Sequence, residues 1–180
     1  IMNILVITGS PHKKGTSSLL ADQFIAGASE AGHHISRFDT IFHVTQPCLA
    51  CNYCQKNLNK CIQEDDMEII WDKVITADLI VFVTPLYYFG MSAQLKKVID
   101  RFYAINDLLR SKLKKVILLA TCAEKESWAM DALVAHFKAI CRYFQWEEAG
   151  KILAFGMSER KDIEASEYPA MAYALGKYIQ

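Results

Sequence analysis

Charge of one sign is the first thing this sequence lacks: 20 lysines and arginines balance 20 aspartates and glutamates over 180 residues. Without a basic field, nucleic acid is not an expected partner, and the same neutrality argues against a small acidic shuttle that steers by surface charge. Also missing is any apolar run of about 18 residues, so no membrane-spanning helix is expected. The apolar start is only strand length, which does not read as a secretion signal. No internal repeat, low-complexity tract or linker divides the chain, so residues 1–180 are read as a single domain. Its 52% hydrophobic content is ample to fill one core. Six cysteines without a secretion signal point to a reducing, cytoplasmic setting and to free thiols or metal ligands before disulfides.

Two familiar nucleotide signatures are absent as well. The loop Gly9-Ser10-Pro11-His12-Lys13-Lys14-Gly15-Thr16-Ser17-Ser18 follows the apolar run Asn3 to Thr8 and precedes Leu19, Leu20, Phe24 and Ile25, which begin a helix. Five residues separate Gly9 from Gly15, and Thr16 follows directly, so this is not a Walker loop; nor is it G-x-G-x-x-G. What the loop does contain is hydroxyls and glycines at a helix N-terminus. Free amides of the first turn, the positive end of the helix dipole and the hydroxyls of Ser10, Thr16, Ser17 and Ser18 make an anion site there. A phosphate held by hydroxyls and amides, without a triphosphate lysine, points to a monophosphate such as that of FMN.

A second loop is richer still. Leu79 to Val83 read as a strand covered on both faces, and Met91, Leu95, Val98, Ile99 and Phe102 recur at helical spacing. Between them Pro85 is expected to stop the strand and Gly90 to let the backbone approach something closely. Tyr87, Tyr88 and Phe89 are three aromatics on a segment that should face solvent, which suits a planar ligand or a dimer contact.

The rest of the chain alternates. Strands are expected at Asn3 to Thr8, Ile35 to Phe38, Leu79 to Val83, Val116 to Ala120 and Ile152 to Phe155. Helices are expected at Ser17 to Ala31, Met67 to Ala77, Ser92 to Ala104 and Ser127 to Phe144, with a last one ending near Tyr178 and holding Pro169 in its first turn. Leu133, Phe137, Ile140, Cys141 and Phe144, and Met171, Ala174, Leu175 and Tyr178, fall at core-facing spacing. This pattern predicts an α/β fold, a doubly wound five-stranded parallel sheet in the order 2-1-3-4-5 with helices on both faces. In that order the first and third strands lie side by side where the chain reverses, so the hydroxyl-rich loop and the aromatic loop open into one crevice.

The connection from Asp39 to Asp65 is too long for a plain turn and holds four of the six cysteines. Cys48, Cys51 and Cys54, followed by Cys61, sit close enough in sequence to surround a [4Fe-4S] cluster; free thiols or a structural zinc are the alternatives. Cys122 and Cys141 read as small apolar core residues. Asp65-Asp66-Met67-Glu68 reads as a helix start with an aspartate cap. Lys96, Asp100 and Arg101 read as a surface ion-pair network, Lys13 and Lys14 as a solvated pair, and His12 as either a phosphate partner or an exposed loop residue.

Taken in order, Gly9-Ser10-Pro11…Gly15-Thr16-Ser17, then Cys48-x-x-Cys51-x-x-Cys54…Cys61…Asp65-Asp66-Met67, then Pro85-Leu86-Tyr87…Ser92-Ala93-Gln94-Leu95-Lys96…Asp100-Arg101 resemble the NADPH-dependent FMN reductase family over nearly the whole chain. The cysteine-bearing branch of that family includes the iron–sulfur flavoproteins. The resemblance implies a flavodoxin-like fold, bound FMN, NADPH or NADH as donor, and a homodimer. The acceptor would be a quinone, a nitro or azo compound, or free flavin. It places the phosphate on Ser10, His12, Gly15, Thr16, Ser17 and Ser18. The flavin ring would lie against Pro85, Leu86, Tyr87, Tyr88, Phe89 and Gly90, with Thr121 and Cys122 from the next strand end. No side-chain acid or base is required, because the flavin carries the chemistry. Three positions depart from the pattern: His12 stands where arginine is frequent, Thr16 where asparagine is common, and Thr121-Cys122-Ala123-Glu124 lacks a frequent glycine. Two other functions fit the same residues: an iron–sulfur electron carrier, and a binding or sensor module without flavin.

Overall fold

Each apolar run expected to be a strand joins one sheet in the computed structural model, which describes residues 1–180. β1 (Asn3–Thr8) leads through the hydroxyl-rich loop to α1 (Thr16–Glu30) and then β2 (His34–Asp39). The long connection follows, opening with a 3-10 turn at Thr40–Phe42 and containing the one-turn helix α2 (Tyr53–Lys56). It closes through a 3-10 turn at Asp66–Ile69 into α3 (Trp71–Thr76). β3 (Leu79–Tyr87), β4 (Gly90–Met91), α4 (Ala93–Arg101) and α5 (Asn106–Arg110) come next. β5 (Lys115–Thr121), α6 (Asp131–Phe144), β6 (Glu147–Ala154), α7 (Arg160–Glu164) and α8 (Tyr168–Tyr178) complete the chain.

The sheet runs β2-β1-β3-β5-β6, all parallel, which is the expected order once β4 is set aside. β4 is a sixth, two-residue strand that pairs antiparallel with the end of β3. Alternation along the strands separates two cores. Leu5, Ile7, Ile80, Phe82, Val116 and Leu118 face α3, α4, α5 and α6, whereas Ile4, Val6, Leu79, Val81, Ile117 and Leu119 face α1, α7 and α8. The middle runs of the central strands, Ile4 to Ile7, Leu79 to Val83 and Val116 to Ala120, are therefore apolar at every position, as a sheet covered on both faces requires.

Four expectations need correction. Pro85 does not stop β3, which continues to Tyr87. Val83 points its carbonyl at β1, where it accepts from Gly9 N at 2.8 Å, so by alternation the nitrogen of Pro85 also faces that side. β1 has ended there, since its pairing with β3 finishes at Thr8 and Val83, and the missing N–H costs no ladder bond. β6 starts at Glu147, earlier than expected, because it is an edge strand whose exposed Glu147, Glu148 and Lys151 hide the apolar pattern. On α8, Met171 and Tyr178 are exposed and the buried residues are Ala172 and Gly176. A Cβ on Gly176 would lie 2.1 Å from Phe24 O and one on Gly27 2.0 Å from Tyr173 O, so α1 and α8 touch backbone to backbone and push large side chains outward. Finally, the ion-pair network splits: Lys96 and Asp100 pair at the surface, while Arg101 is buried.

No helix is long and apolar enough to cross a membrane.

Candidate active site

Because β1 and β3 are neighbours, the loops that leave their carboxyl ends form the two walls of one cleft of about 300 Å³. Ser92 ties those walls together. Its hydroxyl donates to Gly9 O at 2.7 Å and caps α4 by accepting from Leu95 N, and its own amide donates to Thr84 Oγ1 at 2.9 Å. Gly9 is needed for this contact, since a Cβ there would sit 2.3 Å from Ser92 Oγ.

The hydroxyl-rich loop is wound around a single carbonyl. His12 O accepts from Gly15 N, Ser10 Oγ and Ser18 Oγ, all at 3.1 Å, while His12 N donates back to Ser10 Oγ. Ser18 thus points inward and holds the loop's shape, and it does not reach the cleft wall. Gly15 is packed tightly, with its would-be Cβ 3.0 Å from Ser10 Oγ. Thr16 Oγ1 and Thr121 Oγ1 lie 2.8 Å apart and link the loop to the end of β5. Ser17 differs from its neighbours: the residue lines the cleft, and its hydroxyl is buried and has no hydrogen-bond partner. A buried hydroxyl without a partner is unfavourable by about 1–3 kcal/mol, so a ligand oxygen is what this position is short of.

Pro85, Leu86 and Tyr87 form the facing wall, with Thr121 and Cys122 at its back. Tyr88 and Phe89 lie outside, where they border a second hollow of about 230 Å³ with Leu86, Cys122, Ala123 and Glu124. The two hollows share Leu86, Cys122 and Ala123 and so adjoin along those residues, making a two-part trough. Gly90 lines neither, and no atom lies nearer than 4.0 Å to where its Cβ would stand. The backbone freedom is exercised instead at Tyr88 and Phe89, with φ of 44° and 64°. Burial pushes the Cys122 thiol above its ordinary value, and backbone hydrogen bonds from the Gly156 and Glu124 region offset this only in part. Cys122 is therefore a neutral, small polar wall rather than a nucleophile.

The cleft also has a wall that the sequence did not reveal. Met157, Ser158 and Arg160 come from the loop after β6 and the start of α7, and fold back over the hydroxyl-rich loop. Nothing in the local sequence marks them, because they lie about 145 residues from the loop they cover.

A separate feature occupies the long connection. Cys48, Cys51, Cys54 and Cys61 all border one small cavity, along with Arg101 and Tyr103. The neck below it is closed by Asp66 N to Val44 O at 3.0 Å, Gln46 N to Asp65 Oδ2 at 2.8 Å and Gln63 Nε2 to Pro47 O at 3.0 Å. Ala50 N donates to Cys48 Sγ at 3.4 Å. The thiols thus suit a thiophilic group in type and number, but no three of them converge to the spacing of a metal site.

Comparison with known proteins bears on the fold. A family model described as a flavodoxin-like fold matches residues 2–179. An iron–sulfur flavoprotein of Methanocaldococcus jannaschii is 34% identical over 100 residues, covering 56% of this chain and 51% of that protein. The chain thus spans about half the length of the curated relatives it matches. Among solved structures, an NAD(P)H:quinone oxidoreductase from Methanothermobacter marburgensis superposes with a TM-score of 0.74 at 16% identity, covering 99% of both chains. An FMN-dependent NADH-azoreductase from Bacillus anthracis, in complex with FMN, gives 0.71 at 15% identity, covering 98% of this chain and 99% of that one.

Proposed function

The chain belongs to the flavodoxin-like family, and we propose that residues 1–180 act as one FMN-binding domain of an NAD(P)H-dependent oxidoreductase. The observation that carries this reading is Ser17, a cleft-lining residue at the N-terminus of α1 whose buried hydroxyl has no partner. A phosphate oxygen would satisfy it, with the first-turn amides of α1 beside it. When bound, FMN supplies the redox chemistry, accepting hydride from a nicotinamide and passing electrons to a small acceptor. The chain's own residues bind and orient. Thr16 and Ser17 offer hydroxyls on the phosphate side, while Ser10, whose hydroxyl donates to His12 O, lines the cleft and helps the loop geometry keep Gly15 close. Pro85, Leu86 and Tyr87 with Thr121, Cys122 and Ala123 form the trough for the ring, its far end left open beside Tyr88 and Phe89. That open end suits a stacked nicotinamide or a flat acceptor such as a quinone, a nitro or azo compound, or free flavin. The relatives named for NAD(P)H, quinone and azo chemistry support the class of reaction.

A second reading has its own support. Four cysteines bordering one cavity, with an amide directed at Cys48 Sγ, favour an iron–sulfur cluster that would relay single electrons. The name of the M. jannaschii relative points the same way. One preparation tests both. Protein purified anaerobically, supplied with FMN and titrated with NADPH should retain flavin and bleach on reduction. A colourless protein that takes up no FMN would end the flavin reading. Iron and sulfide that vanish in Cys48→Ser while FMN remains would establish the cluster; their absence from the unmodified protein would dismiss it.

A further inference from the structure

The cleft has one permanently charged side chain on its wall, and it comes from the far end of the chain. Arg160 opens α7, with its side chain 34% exposed. Its Nε is engaged by Glu164 at 2.7 Å, which fixes the guanidinium plane. Its Nη1 reaches toward Gly15 O and Lys14 O at 3.4 and 3.5 Å, long distances for hydrogen bonds. The guanidinium is thus held over the hydroxyl-rich loop, only loosely occupied by carbonyl oxygens. Ser17, whose buried hydroxyl has no partner, lines the same cleft. His12 is the only other cleft-lining residue able to carry a positive charge, and no carboxylate lines the cleft.

We propose that Arg160 is the phosphate-reading residue of this site: it supplies the positive charge that distinguishes FMN from riboflavin. A phosphomonoester carries close to two negative charges at neutral pH, and a planar guanidinium with free N–H groups is the side chain best matched to its oxygens. Arg160 therefore does from α7 what an arginine at position 12 would do from within the loop. The loose Nη1 contacts are exchanged for phosphate oxygens, while Glu164 keeps the side chain in place. The proposal rests on the FMN reading above.

The test compares two ligands that differ only in the phosphate. Dissociation constants for FMN and riboflavin are measured by flavin fluorescence quenching with the unmodified protein, Arg160→Gln and Arg160→Lys, at low and high salt. The unmodified protein should prefer FMN. Arg160→Gln should weaken FMN binding by about tenfold or more, leave riboflavin binding unchanged and flatten the salt dependence. Arg160→Lys should fall between them, because it keeps the charge and loses the planar fork. If the unmodified protein binds neither flavin, the FMN reading fails and takes this proposal with it. If it binds FMN but Arg160→Gln keeps the same preference over riboflavin, or loses both ligands equally, only the role of Arg160 is overturned. A variant that lost preference for NADPH over NADH while holding FMN normally would likewise overturn it, by moving the guanidinium to the donor's phosphate. Circular dichroism of each variant confirms that the sheet is intact.

Discussion

Arg101 Nη1 stands 2.6 Å from Asp65 Oδ2, and only 1% and 4% of the two side chains are exposed. The pair also anchors the long connection at both ends, since Arg101 Nη1 donates to Gln46 O at 2.9 Å, and Asp65 accepts from Gln46 N at 2.8 Å and from Met67 N at 3.1 Å. The segment holding the four cysteines thus leaves the fold and returns to it through one buried ion pair. Burial works to raise the Asp65 carboxyl, but the Arg101 hydrogen bond, the two amides and the Arg101 charge outweigh it and hold the group below its usual range.

Removing one partner strands the other charge inside the protein. Asp65→Asn should therefore cost about 3–5 kcal/mol and lower the thermal midpoint by on the order of 10 °C. A folded value below the unfolded one gives stability that is complete above about pH 4 and is lost as pH falls through the folded value. Thermal melts from pH 7 downward should show that acid limb in the unmodified protein and a shallower one in Asp65→Asn. A variant with the midpoint and acid profile of the parent would mean that the pair does not hold the connection.

Ser17 offers a prediction in which stability and binding move in opposite directions. Its hydroxyl is buried without a partner, so Ser17→Ala removes an unfavourable group from the unliganded chain and should be neutral or stabilising by up to about 1 kcal/mol. The same change removes a phosphate donor and should weaken FMN binding several-fold. Ser17→Asp, which sets a carboxylate against the phosphate, should abolish flavin retention while the far-ultraviolet spectrum stays that of the folded protein. Full flavin content in Ser17→Asp would remove the phosphate from this loop.

The sequence announced the sheet where burial is two-sided, and lost it where burial is one-sided. β1, β3 and β5 each carry an unbroken apolar run (Ile4 to Ile7, Leu79 to Val83, Val116 to Ala120), so their positions and order were legible; β6 is an edge whose first residues are charged. The hydroxyl-rich loop was legible because a helix N-terminus next to a strand end is a local pattern. That Ser17 faces the cleft while adjacent Ser18 binds His12 O depends on how the loop curls, which composition does not specify. Arg101 was read as a surface residue from its neighbours Lys96 and Asp100, yet its partner lies 36 residues earlier. Arg160 was missed for the same reason, as tertiary contact and not sequence proximity brings it to the site.

The hairpin between β3 and β4 contains backbone strain that contacts within the chain offset only in part. Tyr88 and Phe89 form its two-residue turn with φ of 44° and 64°, a geometry that favours Asn-Gly. Non-glycine residues held there cost about 1 kcal/mol or more each. Phe89 recovers part of this against Trp128, their ring centroids 5.2 Å apart, whereas the Tyr88 ring is wholly exposed. Strain kept for an exposed aromatic suits a contact with a second molecule, and a homodimer of the kind the family resemblance implies would use it. Tyr88→Asn should then raise the thermal midpoint of the dilute protein by about 1–3 °C, because asparagine tolerates the left-handed backbone. In sedimentation equilibrium the same variant should self-associate more weakly than the parent. Association unaffected by the change would remove this hairpin from the interface and leave its strain to be explained by the flavin trough alone.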